Sequence, residues 1–246
     1  MKVVGVIPAR YASTRLPGKP LVQIAGKPMI QWVWEAALRA ETLTDVLVAT
    51  DDDRIALAVK GFGGEAVMTS VDCPSGTDRI AEALIGREAG VVVNIQGDEP
   101  LMNPLTVDEC VRALLADDGA AVGSAMTPIH DWEEFISPSV VKVVTDGRHR
   151  ALYFSRSPIP DWSRVAPNDR GGEPMGMKHL GLYVYRRVAL DAIVKLPPSR
   201  YEKIEKLEQL RFLEAGYRIT MIKVAEAAVG VDTPEDLARV EKLLSR

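Results

Sequence analysis

Apolar and polar positions fall in blocks along the first hundred residues rather than alternating one by one. Short runs at 3–7, 46–50 and 91–95, with a weaker one at 66–68, are apolar nearly throughout, as strands covered on both faces should be. Segments with helical spacing lie between them. In 28–39, Ile30, Val33 and Ala37 share one face, and Pro28 suits a first helical position. Residues 54–60 and 78–87 read as two more helices. The order β-α-β-α-β-α-β predicts an α/β fold with a doubly wound, mostly parallel, Rossmann-like sheet. Ligands bind such a sheet beyond the carboxyl ends of its strands, where residues 10–19, 51–53 and 96–99 belong.

The second half is less regular. Asn103 can cap a helix that has Pro104 at its first position. Residues 120–126 read as a strand, and 140–154 as a hairpin turning at Asp146-Gly147. Residues 158–178, rich in Pro, Gly, Asp and Arg, read as an irregular loop. A strand is predicted at 180–185, helices at 187–195 and 203–215, and a strand at 218–223. Ile204, Leu207, Leu210 and Leu213 recur every three residues and predict one buried stripe on the 203–215 helix. Thr233-Pro234-Glu235-Asp236 is a capping box that opens the last helix. Residues 1–246 are expected to form a single domain, with an inserted α+β excursion at about 128–200.

Composition narrows the function classes. Apolar residues make up 47 % of 246 positions, enough for a substantial core, and the net charge is −4. An acidic chain disfavours nucleic-acid binding and fits a small anionic ligand held by a local basic loop. Cys73 and Cys110 have neither disulfide-framework nor zinc spacing. No stretch approaches the ~20 apolar residues of a membrane span, so a soluble, cytoplasmic protein without a membrane partner is expected.

The chemistry concentrates after the first strand. The stretch 7–21, IPARYASTRLPGKPL, sets Arg10, Arg15 and Lys19 in one loop, with Gly18 free to turn and three prolines breaking regular structure. Three cations there suit a polyanion such as a triphosphate; the plain alternative is a solvated basic surface loop. Gly18-Lys19 is followed by Pro20, so this is not a Walker A loop, and no G-x-G-x-x-G follows the strand. Gln96-Gly97-Asp98-Glu99 follows the 91–95 strand, and a carboxylate there is placed for Mg²⁺ beside phosphates, or simply for a turn. Asp51, Asp52 and Asp53 read as a loop and helix cap rather than a metal cluster.

The loop IPARYASTRLPGKPL also resembles the signature of the nucleotidyltransferases that make CMP-activated keto sugars, most closely the 3-deoxy-manno-octulosonate (KDO) cytidylyltransferase family. SGTDRIAE (75–82), NIQGDEPL (94–101), YFSR (153–156), HLGLYVYR (179–186), EKLEQLR (205–211) and GVDTPEDL (230–237) match further family segments in the same order. The resemblance thus spans nearly the whole chain.

It implies transfer of CMP from CTP to KDO, with release of pyrophosphate for lipopolysaccharide synthesis. It implies Mg²⁺ held by Asp98 and Asp232, and charge neutralisation by Lys19 and Arg15. It implies a nucleotide site from Pro8, Ala9, Arg10, Arg15, Lys19, Ser75, Gly76, Thr77 and Arg79. It also implies a sugar pocket formed or bordered by Gln96, Arg156, His179, Tyr183, Glu208 and Gln209, and a homodimer built through the excursion. From the residues alone, Arg156 can fork onto a carboxylate, and His179 and Tyr183 fall on one face of a strand; a packed strand face and a Glu208–Arg211 pair are the plain alternatives. Other readings are a related acceptor, such as 8-amino-KDO, a catalytically silent CTP-binding regulatory dimer, or a phosphate-binding module for nucleic acid.

Overall fold

The computed structural model describes residues 1–12, 16–165 and 172–244. In chain order the elements are β1 (Val3–Ala9), β2 (Gln23–Ile24), β3 (Lys27–Pro28), α1 (Met29–Ala37), β4 (Asp45–Thr50), α2 (Asp53–Gly61), β5 (Glu65–Met68), α3 (Gly76–Ala83), β6 (Val91–Asn94), α4 (Pro104–Ala116) and β7 (Val122–Ile129). There follow α5 (Trp132–Ile136), β8 (Lys142–Thr145), β9 (Ala151–Ser155), β10 (Gly176–Arg186), α6 (Arg187–Ile193), α7 (Arg200–Glu205), α8 (Gln209–Glu214), β11 (Ile219–Lys223) and α9 (Pro234–Leu244). They fall into two compact units: Met1–Val111 with Val184–Val194 and Ala228–Arg246, and Arg112–Tyr183 with Lys195–Ala227.

The first unit carries the predicted α/β arrangement. Its strands pair in parallel in the order β6-β1-β4-β5. Val4, Val6, Ile7, Val48, Val92 and Val93 are buried, as are Ile30 and Val33 of α1, Ile55 and Val59 of α2, and Ile80 of α3. Uninterrupted apolar strands between helices are what such a core needs. The chain builds outward from β1 through β4 to β5, then returns to place β6 on the other side of β1. The strand order therefore reverses between β1 and β6, and this switch point opens a crevice at their carboxyl ends. A second cluster joins the chain terminus to the β2–β3 hairpin: Ile24, Met29, Val231 and Val240 are fully buried, with Leu16, Trp32 and Leu237 packed against them.

In the second unit β7 and β11 run parallel, while β8 pairs antiparallel with both β9 and β10. The predicted hairpin at 140–154 is thus β8–β9. The single helix expected at 203–215 is two. A capping box between Ser199 and Glu202 starts α7, and Lys206, at φ 56, ends it in a left-handed conformation. The break rotates the expected stripe out of register, leaving Ile204 66 % exposed while Leu207 and Leu210 stay buried. Arg211 donates to Glu202 at 2.6 and 2.9 Å, tying α8 back to α7.

Candidate active site

The switch-point crevice is a cleft of about 500 Å³ in the first unit, lined by both strand ends and the start of α3. Of the predicted nucleotide set, Pro8, Ala9, Arg10, Lys19, Ser75, Gly76 and Arg79 line it, together with Gln96, Asp98 and Asp232. Thr77 is buried in the first turn of α3. Arg15 lies outside the described residues.

Local structure places each group. Gly18 takes φ 66 and its N–H donates to Tyr11 O at 3.2 Å, closing the loop so that a short 3-10 turn, Lys19–Leu21, follows. Arg54 stacks its guanidinium on the Tyr11 ring, 3.3 Å from the centroid, and steadies the loop from α2. Ser75 caps α3: its hydroxyl accepts from Asp78 N–H and donates to the Asp78 carboxylate at 2.6 Å. Arg79 is only 4 % exposed and donates to Asp51 at 2.7 Å and Thr69 at 2.6 Å. Its charge thus ties α3 to the ends of β4 and β5, and Asp51 is a structural anion. Asp52 caps α2, as the reading of 51–53 as a loop and cap requires. At Gly97 a Cβ would come 3.1 Å from Pro8 O, a tight contact, so the lack of a side chain eases the close passage of the β6 loop by the end of β1.

Asp98 and Asp232 converge. Lys19 Nζ donates to Asp98 Oδ2 at 2.6 Å and to Asp232 Oδ1 at 2.9 Å. The main chain enforces this: buried Val231 donates its N–H to Asp98 O at 2.9 Å, clamping the residue before one acid onto the other. Asp236 Oδ2 accepts from the N–H groups of Asp232 and Thr233, and Thr233 Oγ1 caps α9 in return. Two carboxylate oxygens around one ammonium form a pair already disposed about a cation. Among the described residues no group of three or more His, Cys, Asp or Glu side chains could hold a metal ion. A Mg²⁺ here would thus take two carboxylates and complete its shell with phosphate and water oxygens, a donor set that fits this ion.

Of the predicted sugar residues, Gln96 lies in the first unit, on the loop after β6, and the other five are in the second. Arg156 follows β9. Its Nε donates to Glu205 O at 2.8 Å and its Nη1 to Pro138 O at 3.0 Å, while its N–H donates to the Glu205 carboxylate. The His179 and Tyr183 rings lie 5.3 Å apart, on the common face expected of them, with Phe154 edge-on to His179 at 4.9 Å. Desolvation pushes the His179 pKa down to about 3, so the ring is neutral. Glu208 precedes α8 and Gln209 is buried at its start.

Three groups that hold this region were not predicted. Lys142 is fully buried, and its ammonium donates to the carbonyls of Ser137, Val140 and Arg156; desolvation lowers its pKa. Glu205 also accepts from Ser155 Oγ at 2.7 Å. Ser124, on β7, reaches His179 Nε2 at 2.9 Å. A lone Lys within the apolar run 140–144 was the available signal for the first, because a buried cation must find partners.

A family model described as cytidylyltransferase matches residues 4–219, which puts the chain in the CTP-dependent nucleotidyltransferases. Relatives narrow the class. The 3-deoxy-manno-octulosonate cytidylyltransferase of Syntrophotalea carbinolica is 50 % identical over 244 residues, covering 98 % of each chain. That of Geobacter sulfurreducens is 50 % identical over 249 residues, covering 99 % of this chain and 100 % of its own. The solved structure of CMP:2-keto-3-deoxy-manno-octonic acid synthetase complexed with CTP superposes with a TM-score of 0.93 at 46 % identity, covering 100 % and 99 % of the two chains. A cytidylyltransferase from Leptospira borgpetersenii, at 17 % identity and a TM-score of 0.64, shares the fold. The chain belongs to the 3-deoxy-manno-octulosonate cytidylyltransferase family.

Proposed function

We propose that this protein transfers CMP from CTP to the anomeric hydroxyl of KDO, releasing pyrophosphate and supplying CMP-KDO for lipopolysaccharide synthesis. The observation that carries this reading is the near-complete alignment, at about half identity, with enzymes of that name. The Lys19–Asp98–Asp232 constellation at the switch point supports it. The anomeric oxygen bonds to the α-phosphorus as the bond to the departing pyrophosphate breaks and the hydroxyl proton is lost. Such a displacement depends on positioning and charge neutralisation more than on covalent chemistry.

Arg10, exposed at the cleft, and Lys19 meet the triphosphate, with Arg15 of the same loop. Lys19 offsets charge on the leaving pyrophosphate. Ser75, Gly76 and Thr77, at the start of α3, meet the nucleoside. Asp98 and Asp232 would hold Mg²⁺, which when bound supplies charge neutralisation at the α-phosphate and acidifies the attacking hydroxyl. Arg156, His179, Tyr183, Glu208 and Gln209 of the second unit recognise the sugar acid, and Gln96, of the same expected set, lines the cleft of the first unit. A cytoplasmic homodimer belongs to the same proposal; among the described residues no helix is long and apolar enough to cross a membrane.

The test is pyrophosphate release from purified protein with CTP, Mg²⁺ and KDO, beside ATP, GTP, UTP and no-sugar controls. Release that needs both CTP and KDO is expected. Release with a different keto acid alone would move the acceptor, and CTP binding without release under any acceptor would refute the enzymatic reading.

A further inference from the structure

We propose that Ser124 fixes His179 as the Nε2–H tautomer and so presents its Nδ1 as a bare hydrogen-bond acceptor to the sugar substrate. The inference rests on the proposed sugar role of His179 and adds a positioning residue that does not touch the sugar.

The tautomer follows from counting hydrogens. Ser124 is fully buried on β7, and its Oγ has three polar neighbours: Leu182 O at 2.7 Å, Leu180 O at 3.2 Å and His179 Nε2 at 2.9 Å. A hydroxyl carries a single hydrogen, and a carbonyl oxygen only accepts. At 2.7 Å from Leu182 O, two bare oxygens would repel, so the Ser124 hydrogen points to that carbonyl. None remains for the imidazole. His179 Nε2 must therefore carry a hydrogen and donate it to Ser124 Oγ. Desolvation keeps the ring neutral, which leaves Nδ1 without a hydrogen.

The ring is also held in place. The His179 N–H donates to Val141 O at 2.8 Å, fixing its backbone beside β8. Phe154 closes one side edge-on and Tyr183 another, at 4.9 and 5.3 Å between centroids. The residue is only partly buried, and its ring is anchored at one nitrogen. An acceptor fixed in this way takes the hydrogen of a hydroxyl on a polyhydroxylated acid, whereas an Nδ1–H tautomer in the same place would need that hydroxyl to accept and so leave its hydrogen for another partner.

The test joins nitrogen NMR to kinetics on the full chain. The protein has three histidines, so with labelled imidazoles the His179→Asn spectrum identifies the signal of interest. Wild-type His179 should show a protonated Nε2 and a bare Nδ1, unchanged between pH 8 and 6. Ser124→Ala should mix the tautomers and raise KM for KDO roughly tenfold, the effect of one lost hydrogen bond, with KM for CTP and kcat within about twofold. His179→Asn, which sets an amide oxygen near the Nδ1 position, should keep more KDO affinity than His179→Gln, which sets it near Nε2. A wild-type Nδ1–H tautomer or imidazolium, or a Ser124→Ala variant with unchanged KM for KDO, would overturn the inference. If Ser124→Ala does not fold, the wild-type spectrum and the Asn–Gln comparison decide it. Wild type without KDO turnover would instead refute the proposed function, with the spectrum still deciding the tautomer.

Discussion

Replacing Asp98 by Asn separates chemistry from folding at this site. The substitution keeps the side-chain shape and removes one negative charge 2.6 Å from Lys19 Nζ. The Asp98 side chain is 36 % exposed and that of Lys19 13 %, so the pair sits at the rim of the cleft, where solvent screens it. A pair of this kind contributes at most about 1 kcal/mol. Lys19 also keeps its contact with Asp232. The link that shapes the segment before Asp232, from Val231 N–H to Asp98 O, uses main-chain atoms and survives the change. With about 2–4 °C of melting temperature per kcal/mol for a chain of this size, the variant should melt within about 4 °C of wild type. Turnover should fall far more, by roughly 10²–10³-fold, the usual cost of losing a group aimed at charge that develops in the transition state. The assay is pyrophosphate release at saturating CTP and KDO with Mg²⁺, beside a thermal melt of the same preparation. Wild-type turnover would refute the assignment of Asp98, and a melting temperature lower by more than about 10 °C would mean that its charge maintains the fold.

Further predictions concern buried polar groups. Asp108 is fully buried and accepts from Glu41 N–H, Thr42 N–H and the Thr42 hydroxyl at 3.1, 2.8 and 2.7 Å, so Asp108→Ala should destabilise by about 2–5 kcal/mol in urea unfolding; a loss under 1 kcal/mol would contradict this. His179, held near pKa 3 against an ordinary value of 6.5, binds fewer protons folded than unfolded between those values. Its contribution is therefore complete above about pH 6.5 and is lost as pH falls towards 3. The stability difference between wild type and His179→Phe should shrink from pH 7.5 to pH 5, and a constant difference would refute the shift. Desolvation and the neighbouring Glu82 push the Cys73 thiol up to about 11, and burial raises Cys110 as well. Both thiols should react with iodoacetamide far more slowly than free cysteine at pH 8, and rapid labelling of Cys73 would show its environment to be wrong.

The sheet of the first unit could be read from the sequence because its strands are buried on both faces and so are apolar without alternation. Helix starts were equally readable: Ser75, Asp52 and Thr233 each cap where a polar residue precedes a helical pattern. The 203–215 segment was misread because apolar spacing continues across Lys206, where the backbone turns left-handed. Nothing in a single lysine announces that conformation. The loop cations and Asp98 were suggested by their place after strands. The meeting of Asp232 with Lys19, 213 positions away, depends on α9 packing against the β2–β3 hairpin, and pattern alone could not give it. Ser124 and Glu205 were invisible for a similar reason, because each acts through a tertiary contact whose partner carries no local signal.

The central claim is the transfer of CMP to KDO, and the most direct measurement is identification of the product. Reaction of the purified chain with CTP, KDO and Mg²⁺, followed by phosphorus NMR and mass spectrometry, should show a phosphodiester between CMP and the anomeric oxygen, formed in equal amount with pyrophosphate. Pyrophosphate accompanied only by free CMP, or unchanged CTP beside a folded, CTP-binding protein, would contradict it.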